Sequence, residues 1–217
     1  MARDGIFQRD GIEYGRGLSF FDAIYGFAIT LLIANIDLPP ASSWSSLGTL
    51  LDDGLSEQLV GFVISFIVIA VFWKHNTDLL GRFQGMDATI IAINLAMAGL
   101  VVFLPFTTQA ISDEAVLEYP LATAMYALNI ALLIFAQLSL VEVGRARGLF
   151  LDGTQPGLRW AIRIDLGAQA CVFLLSIAVA YLVSPETARL MWVVVLPIVA
   201  IVTGRQRTRM TTRTLPA

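Results

Sequence analysis

The stretch Arg16-Gly-Leu-Ser-Phe20-Phe21-Asp22-Ala-Ile-Tyr-Gly-Phe27-Ala28-Ile29-Thr30-Leu31-Leu32-Ile33-Ala34-Asn35-Ile36-Asp37 decides how the rest of the chain is read. Its centre is apolar over enough residues to cross a hydrocarbon core of ~30 Å at 1.5 Å per helical residue. Backbone polar groups in lipid must bond within their own segment, so the stretch has to be a helix. At about 100° per residue, Ala23, Phe27, Thr30, Leu31 and Ala34 share one face, Asp37 lies at its outer edge and Asp22 points nearly opposite. Leu32, about 140° from Phe27, falls off that face. Arg3, Arg9 and Arg16 in front of an apolar core also resemble a signal peptide. Asp22 and Asp37 bracket that core, and Thr30 and Asn35 interrupt it, so the stretch reads as a retained first span.

Working outward, the composition agrees. Of 217 residues, 57% are hydrophobic and only 14% charged, with a mean hydropathy of +0.74. Soluble domains carry about 25% charged residues, which excludes a disordered chain, a nucleic-acid-binding domain and most soluble enzymes. Six spans are expected in a single domain covering 1–217: Phe20–Asp37, Gln58–His75, Ala88–Ile111, Tyr119–Val143, Trp160–Val183 and Thr187–Thr203. The expected fold is therefore all-α and multi-pass. Pro39-Pro40, Asp152-Gly153, Pro156-Gly157 and Ser184-Pro185 supply turn chemistry between spans.

Basic residues near span ends set orientation. Thirteen of the fourteen fall on one side, leaving Arg189 for the other, which makes both termini cytoplasmic. The outer loops carry Asp37, Asp52, Asp53, Glu57, Asp113, Glu114, Glu118 and Glu186. They read either as loops that simply lack Lys and Arg, or as a negative surface that concentrates cations.

Chemical signatures are sparse. Cys171 and His75 are each the sole residue of their type, so an internal disulfide and a zinc site of paired His or Cys ligands are not expected. Phosphate-binding glycine loops, nucleophile elbows and the T-V-G-Y-G carbonyl filter are missing, and no cofactor is expected. Polar residues at membrane depth remain, and these mark function or helix packing. The face of Phe27, Leu31 and Ala34 reads as a pore lining or as ordinary lipid and interhelical packing. Thr30 on the same face has the common alternative of bonding a carbonyl one turn back. The second span ends Phe72-Trp73-Lys74-His75-Asn76, either an interfacial anchor or a source of donors for Asp22 from His75 or Asn76, with Arg16 the other donor. Asp165 is expected to pair with Arg163, Arg159 or Arg16. Asn129 and Gln137 are expected to hydrogen-bond between helices, and Ala124, Ala127 and Ala131 to form a small-residue packing face.

Arg16-x-x-x-Phe20-x-Asp22 followed by Ala28-Ile29-Thr30-Leu31-Leu32 resembles the first-helix signature of prokaryotic members of the transmembrane-protein-175 potassium channel family. Phe72-Trp73-Lys74-His75-Asn76, Asn94-Leu95 and Leu104-Pro105-Phe106 follow in the family's order. The resemblance covers the first half of the chain, with only the number of spans to extend it. It implies a homotetramer whose first helices surround a central pore that passes K⁺ in preference to Na⁺ through a hydrophobic stretch. By position, Phe27, Leu31 and Ala34 would line that pore, Thr30 would form a hydroxyl layer, and Asp37 would attract cations at the outer mouth. Arg16, Phe20, Asp22, Trp73 and either His75 or Asn76 would hold the inner end of the helix. The family serine is Phe21 here, and its aliphatic constriction falls on Phe27. A prokaryotic inner membrane is the expected location, with lipid and further copies of the chain as partners. The competing readings are a secondary transporter, for which Gly99, Pro105 and Pro197 could break helices, and an intramembrane enzyme using Asp22, His75 and Asp165.

Overall fold

The computed structural model describes residues 6–113, 115–151 and 156–195. A short strand β1 (Ile6–Gln8) leads into α1 (Ile12–Ala34). A 3₁₀ turn (Ala41–Ser45), a one-turn helix α2 (Leu47–Leu50) and a π turn (Leu51–Leu55) run into α3 (Ser56–Leu80). Strand β2 (Gly85–Asp87) precedes α4 (Ala88–Ser112), followed by α5 (Pro120–Ala146), α6 (Pro156–Leu182) and a helix α7 over 185–195.

Five of these helices are long and apolar enough to cross a membrane: α1, α3, α4, α5 and all but the start of α6. The sixth expected span is described as helical only to residue 195, and the rest of Thr187–Thr203 lies outside the described residues. The first span is corrected at both ends. The helix starts at Ile12, eight residues before Phe20, and stops at Ala34, so Asp37 stands beyond it. The apolar run sees only the part of a helix that meets hydrocarbon, whereas hydrogen bonding continues into the polar layer.

Local chemistry starts the helices. The Asp87 carboxylate accepts from the N–H groups of Thr89 and Ile90, at 3.0 and 2.9 Å, and caps α4. Pro120 occupies the first turn of α5, where a missing N–H costs nothing. Ser184 Oγ accepts from Thr187 N at 3.1 Å just ahead of Pro185, which starts α7.

Helix α5 is the centre of the bundle, packing on α4 and on α6, while α1 packs on α3 and α4. The small-residue face of Ala124, Ala127 and Ala131 is buried as expected. It lets neighbouring backbones approach closely, which is how helices associate when lipid removes the hydrophobic driving force. Asn129 Nδ2 donates to the Leu100 carbonyl at 3.2 Å, joining α5 to α4. Gln137 does not do the same: it is buried, and neither amide atom has a partner among the described residues.

One end of the bundle is closed by backbone pairing. Strand β1 pairs antiparallel with β2, and a bridge joins Phe83 to Phe150. The start of α1, the α3–α4 junction and the α5–α6 junction therefore meet at the same end. That is the end carrying Arg9, Arg82 and Arg147, in agreement with their assignment to a common side.

Candidate functional site

Helix α1 presents two contrasting faces. Tyr14, Phe21, Tyr25, Ala28 and Leu32 are buried against their own subunit. Across the helix, Ala23, Thr30 and Ala34 are exposed, and Phe27 is 60% exposed, with Leu31 half-buried at the margin. The face read from periodicity is thus the one left uncovered by the rest of the chain. An exposed phenylalanine in the middle of a membrane-length helix has to meet lipid or another copy.

The Thr30 hydroxyl donates to the Phe27 carbonyl at 2.7 Å, one turn back. Its proton is committed to the backbone, and its oxygen lone pairs stay on the uncovered face. Beyond the helix end, the Asp37 N–H donates to Gln58 Oε1 at 2.8 Å, which ties the chain leaving α1 to the start of α3. Asp37 is exposed there, beside a small pocket of about 200 Å³ also lined by Asn35, Gln109 and Asp113.

At the other end, the donors expected for Asp22 are corrected. Asp22 Oδ1 accepts from Trp73 Nε1 at 2.7 Å, linking α1 directly to α3. Asn76 is 3% exposed and turned into the bundle, where its Oδ1 has no partner among the described residues. His75 lines a separate cavity of about 1180 Å³ between α3, α5, α6 and α7, together with Gln137 and Asp165. Helical spacing accounts for His75, which lies about 160° around α3 from Trp73 and so turns away from Asp22. Asn76 is only about 60° from Trp73, and it is its burial in the bundle that separates it from the carboxylate. Trp73 was named from sequence as part of this network, but a membrane-interface tryptophan is common enough to conceal its N–H as the specific donor. Arg16 is exposed and forms no ion pair with a described residue. Phe20 is exposed and meets Phe21 edge-on, with ring centroids 5.7 Å apart.

Of the basic residues expected to pair with Asp165, Arg163 forms an ion pair with α5. Arg163 Nε lies 2.9 Å from Glu142 Oε1 on α5, with its guanidinium over the Trp160 ring at 5.4 Å. Arg159 has no described side chain, so that expected pairing lies outside the described residues. Contacts without a sequence signal complete the picture. Ser65 Oγ and Thr108 Oγ1 are 2.6 Å apart and join α3 to α4, with the Tyr126 hydroxyl of α5 at 3.4 Å from Ser65. Tyr14 donates its hydroxyl to the Leu80 carbonyl at 2.6 Å.

One carboxyl outside the spans is strongly placed. Burial by itself would raise the pKa of Asp87. The Ile90 N–H, the Arg147 guanidinium and the Thr89 N–H outweigh that effect and hold it below its ordinary value. Among the described residues there is no group of three or more His, Cys, Asp and Glu that could hold a metal ion. The arrangement offers an uncovered, mostly apolar helical face with one hydroxyl layer and acidic groups beyond its end.

Comparison with known proteins places this geometry among relatives. The family described as endosomal/lysosomal potassium channel TMEM175 matches residues 16–105, the part of the chain containing α1 and its partners on α3 and α4. A potassium channel of Streptomyces collinus is 25% identical over 182 residues, covering 81% of this chain and 86% of the relative. A potassium channel of Chryseobacterium sp. is 25% identical over 109 residues, and one of Chamaesiphon minutus is 29% identical over 103. The chain spans about half the length of these last two, 54% and 50%. The crystal structure of a lysosomal potassium-selective channel TMEM175 homolog from Chamaesiphon minutus superposes with a TM-score of 0.71. It is 21% identical, and the match covers 88% of this chain and 98% of that one, so what it supports is a common fold.

Proposed function

Because the chain belongs to the TMEM175 family, we propose that it is a cation channel passing K⁺ in preference to Na⁺, built as a homotetramer around the uncovered face of α1. The observation that carries this reading is that face itself. Phe27, at 60% exposed, and the exposed Thr30 and Ala34 lie opposite the stripe that packs on α3 and α4. Four copies arranged about an axis would turn each position into a ring. Phenyl rings at Phe27 would form the narrowest constriction, with Leu31 and Ala34 continuing the apolar lining and Thr30 setting hydroxyl oxygens beside it.

A hydrophobic constriction excludes water and gates by dewetting. An ion crossing it gives up part of its hydration shell, which is less unfavourable for K⁺ than for the more tightly hydrated Na⁺. No cofactor enters this mechanism. Asp37 would raise the local cation concentration at the outer mouth. The Asp22–Trp73 hydrogen bond would fix the inner end of α1, with Phe20 and Arg16 on the same helix and His75 and Asn76 shaping α3 behind it. The termini would face the cytoplasm, in a prokaryotic inner membrane.

Ion flux into liposomes holding the purified protein, with K⁺ and Na⁺ gradients compared, tests the function. Equal flux for the two ions, or none above empty liposomes, would reject it. Four copies of 23.6 kDa give ~94 kDa of protein in a detergent-corrected mass, and a monomer would remove the central pore.

A further inference from the structure

The contacts between α1, α3 and α4 do not explain why a three-residue strand is kept in front of α1. Strand β1 pairs with β2 in the register Ile6–Asp87, Phe7–Met86 and Gln8–Gly85. The register is closely fitted. A Cβ on Gly85 would stand 2.7 Å from Ile6 Cγ2 and 2.9 Å from the Phe7 carbonyl oxygen. Arg9 continues the pairing, its N–H donating to the Gln84 carbonyl at 3.1 Å and its guanidinium to the carbonyls of Gly81 and Phe83.

The same segment is held from its other side by the α5–α6 junction. Gln84 N donates to the Leu149 carbonyl at 2.8 Å, Leu151 N to the Arg82 carbonyl at 2.9 Å, and Gln84 Nε2 to the Gly148 carbonyl at 2.6 Å. Phe83 and Phe150 meet edge-on at 4.8 Å, and Arg147 forms an ion pair with Asp87, the residue that pairs with Ile6 and caps α4. A continuous series of contacts therefore runs from α5–α6, through 81–87, to β1 and the first turn of α1.

The geometry points to Arg9 and Arg147 as positioning residues of a latch through which the α5–α6 junction holds the inner end of α1. The inference rests on the proposed channel reading for its consequence, the setting of the pore. It does not rest on it for the latch itself. Only three residues separate β1 from α1, so the docking of β1 is passed over a short tether to the first turn of the helix, which the Tyr14–Leu80 hydrogen bond also holds. In the bilayer the tie acts below the spans, where water is present and the hydrogen bonds and ion pair can open and close. Arg147 acts on α1 through Asp87 and β2, and Arg9 acts through the carbonyls at the end of α3.

The test uses the full chain in liposomes, with Cys171→Ser to remove the native thiol and a nitroxide on Phe7→Cys, a partly exposed position of β1. Electron paramagnetic resonance then reads whether β1 is docked. Arg147→Gln and Arg9→Gln should each raise the mobile fraction of the label about tenfold, the shift expected on losing a charge-assisted hydrogen bond. K⁺ flux should change in step with mobility, the double variant should add less than the product of the two, and Arg147→Lys should restore most of both readouts. Leu133→Ala, a core substitution on α5 away from the latch, should lower thermal stability while the label stays immobile. An immobile label in Arg147→Gln would overturn the latch. So would a freed label with K⁺ flux unchanged from that of an active parent. Absence of flux from the unsubstituted protein would instead count against the channel reading, with the label still reporting on Arg147.

Discussion

At the scale of single residues, the decisive comparison is between Phe27 and its neighbours on the same helix. Phe27→Ala should raise ion flux and reduce the discrimination between K⁺ and Na⁺, measured in liposomes under opposed gradients. Leu32 lies off the Phe27 face by its angle, but it cannot serve as the control. It is 3% exposed and packed in the core of its own subunit. Leu32→Ala would destabilise by about 2–5 kcal/mol through the cavity left behind, whatever its relation to a pore. Ile33 is the better control, since it is exposed and about 120° from Phe27. Ile33→Ala should leave flux and selectivity unchanged, and the reverse outcome would mean that α1 turns a different side to the axis. Asp87 gives a prediction in pH. Its folded pKa is depressed, so its contribution is present above the ordinary value of 3.8 and is lost as pH falls through the lower folded pKa. Thermal unfolding followed from pH 6 downward should show a decline at the acid end that Asp87→Asn flattens. The substitution should also lower stability at pH 6.

At the scale of elements, contact between backbones separates glycines that look alike in sequence. A Cβ on Gly144 of α5 would stand 2.6 Å from Phe83 Cζ and 2.8 Å from its Cε1. Phe83 is fully buried against Phe150 and has no free direction in which to move. Gly144→Ala should therefore destabilise by about 1–3 kcal/mol, the usual range for overpacking. Gly99 of α4 is exposed, and a Cβ there would meet nothing within 4 Å. Gly99→Ala should be neutral or stabilising by up to ~1 kcal/mol on helix propensity. Thermal stability of the two purified variants checks both. Much of the element scale was legible in the sequence. The starts of α4 and α5 fall within a residue of the expected spans, because there the apolar run begins where the helix does. The start of α1 was missed by eight residues, because Gly11 to Ser19 is polar and glycine-rich and lacks a capping side chain.

At the scale of the whole molecule, the proposed channel gives the exposed Asp37 a role that salt can test. Asp37→Asn should lower cation flux mainly at low ionic strength, because an exposed charge acts within a Debye length of ~10 Å at 0.1 M salt. Conductance measured at low and high salt separates this from a direct binding site, which would weaken flux equally in both. The subunit by itself has little with which to cover α1 and α3. Both are long and apolar, yet only 22% and 17% of their spans are buried among the described residues. That is the state expected of helices that finish their packing against lipid or against other copies.

The membrane class, the order of the first five spans and the set of residues that share one face of α1 follow from the sequence alone. Each depends on composition or on the 100° step of a helix, and both are local properties that no tertiary contact can reverse. Which donor meets Asp22 was settled by the fold. Arg16, Trp73, His75 and Asn76 were all near the right depth, and only the rotation of α3 about its axis brings the indole N–H to the carboxylate. The same holds for Arg163, which forms an ion pair with Glu142 on another helix. It holds again for β1, whose three residues have no periodicity to read and are ordered only by pairing with a segment about eighty positions away. Partners so distant along the chain are chosen by helix rotation and crossing, and these are properties of the packed bundle.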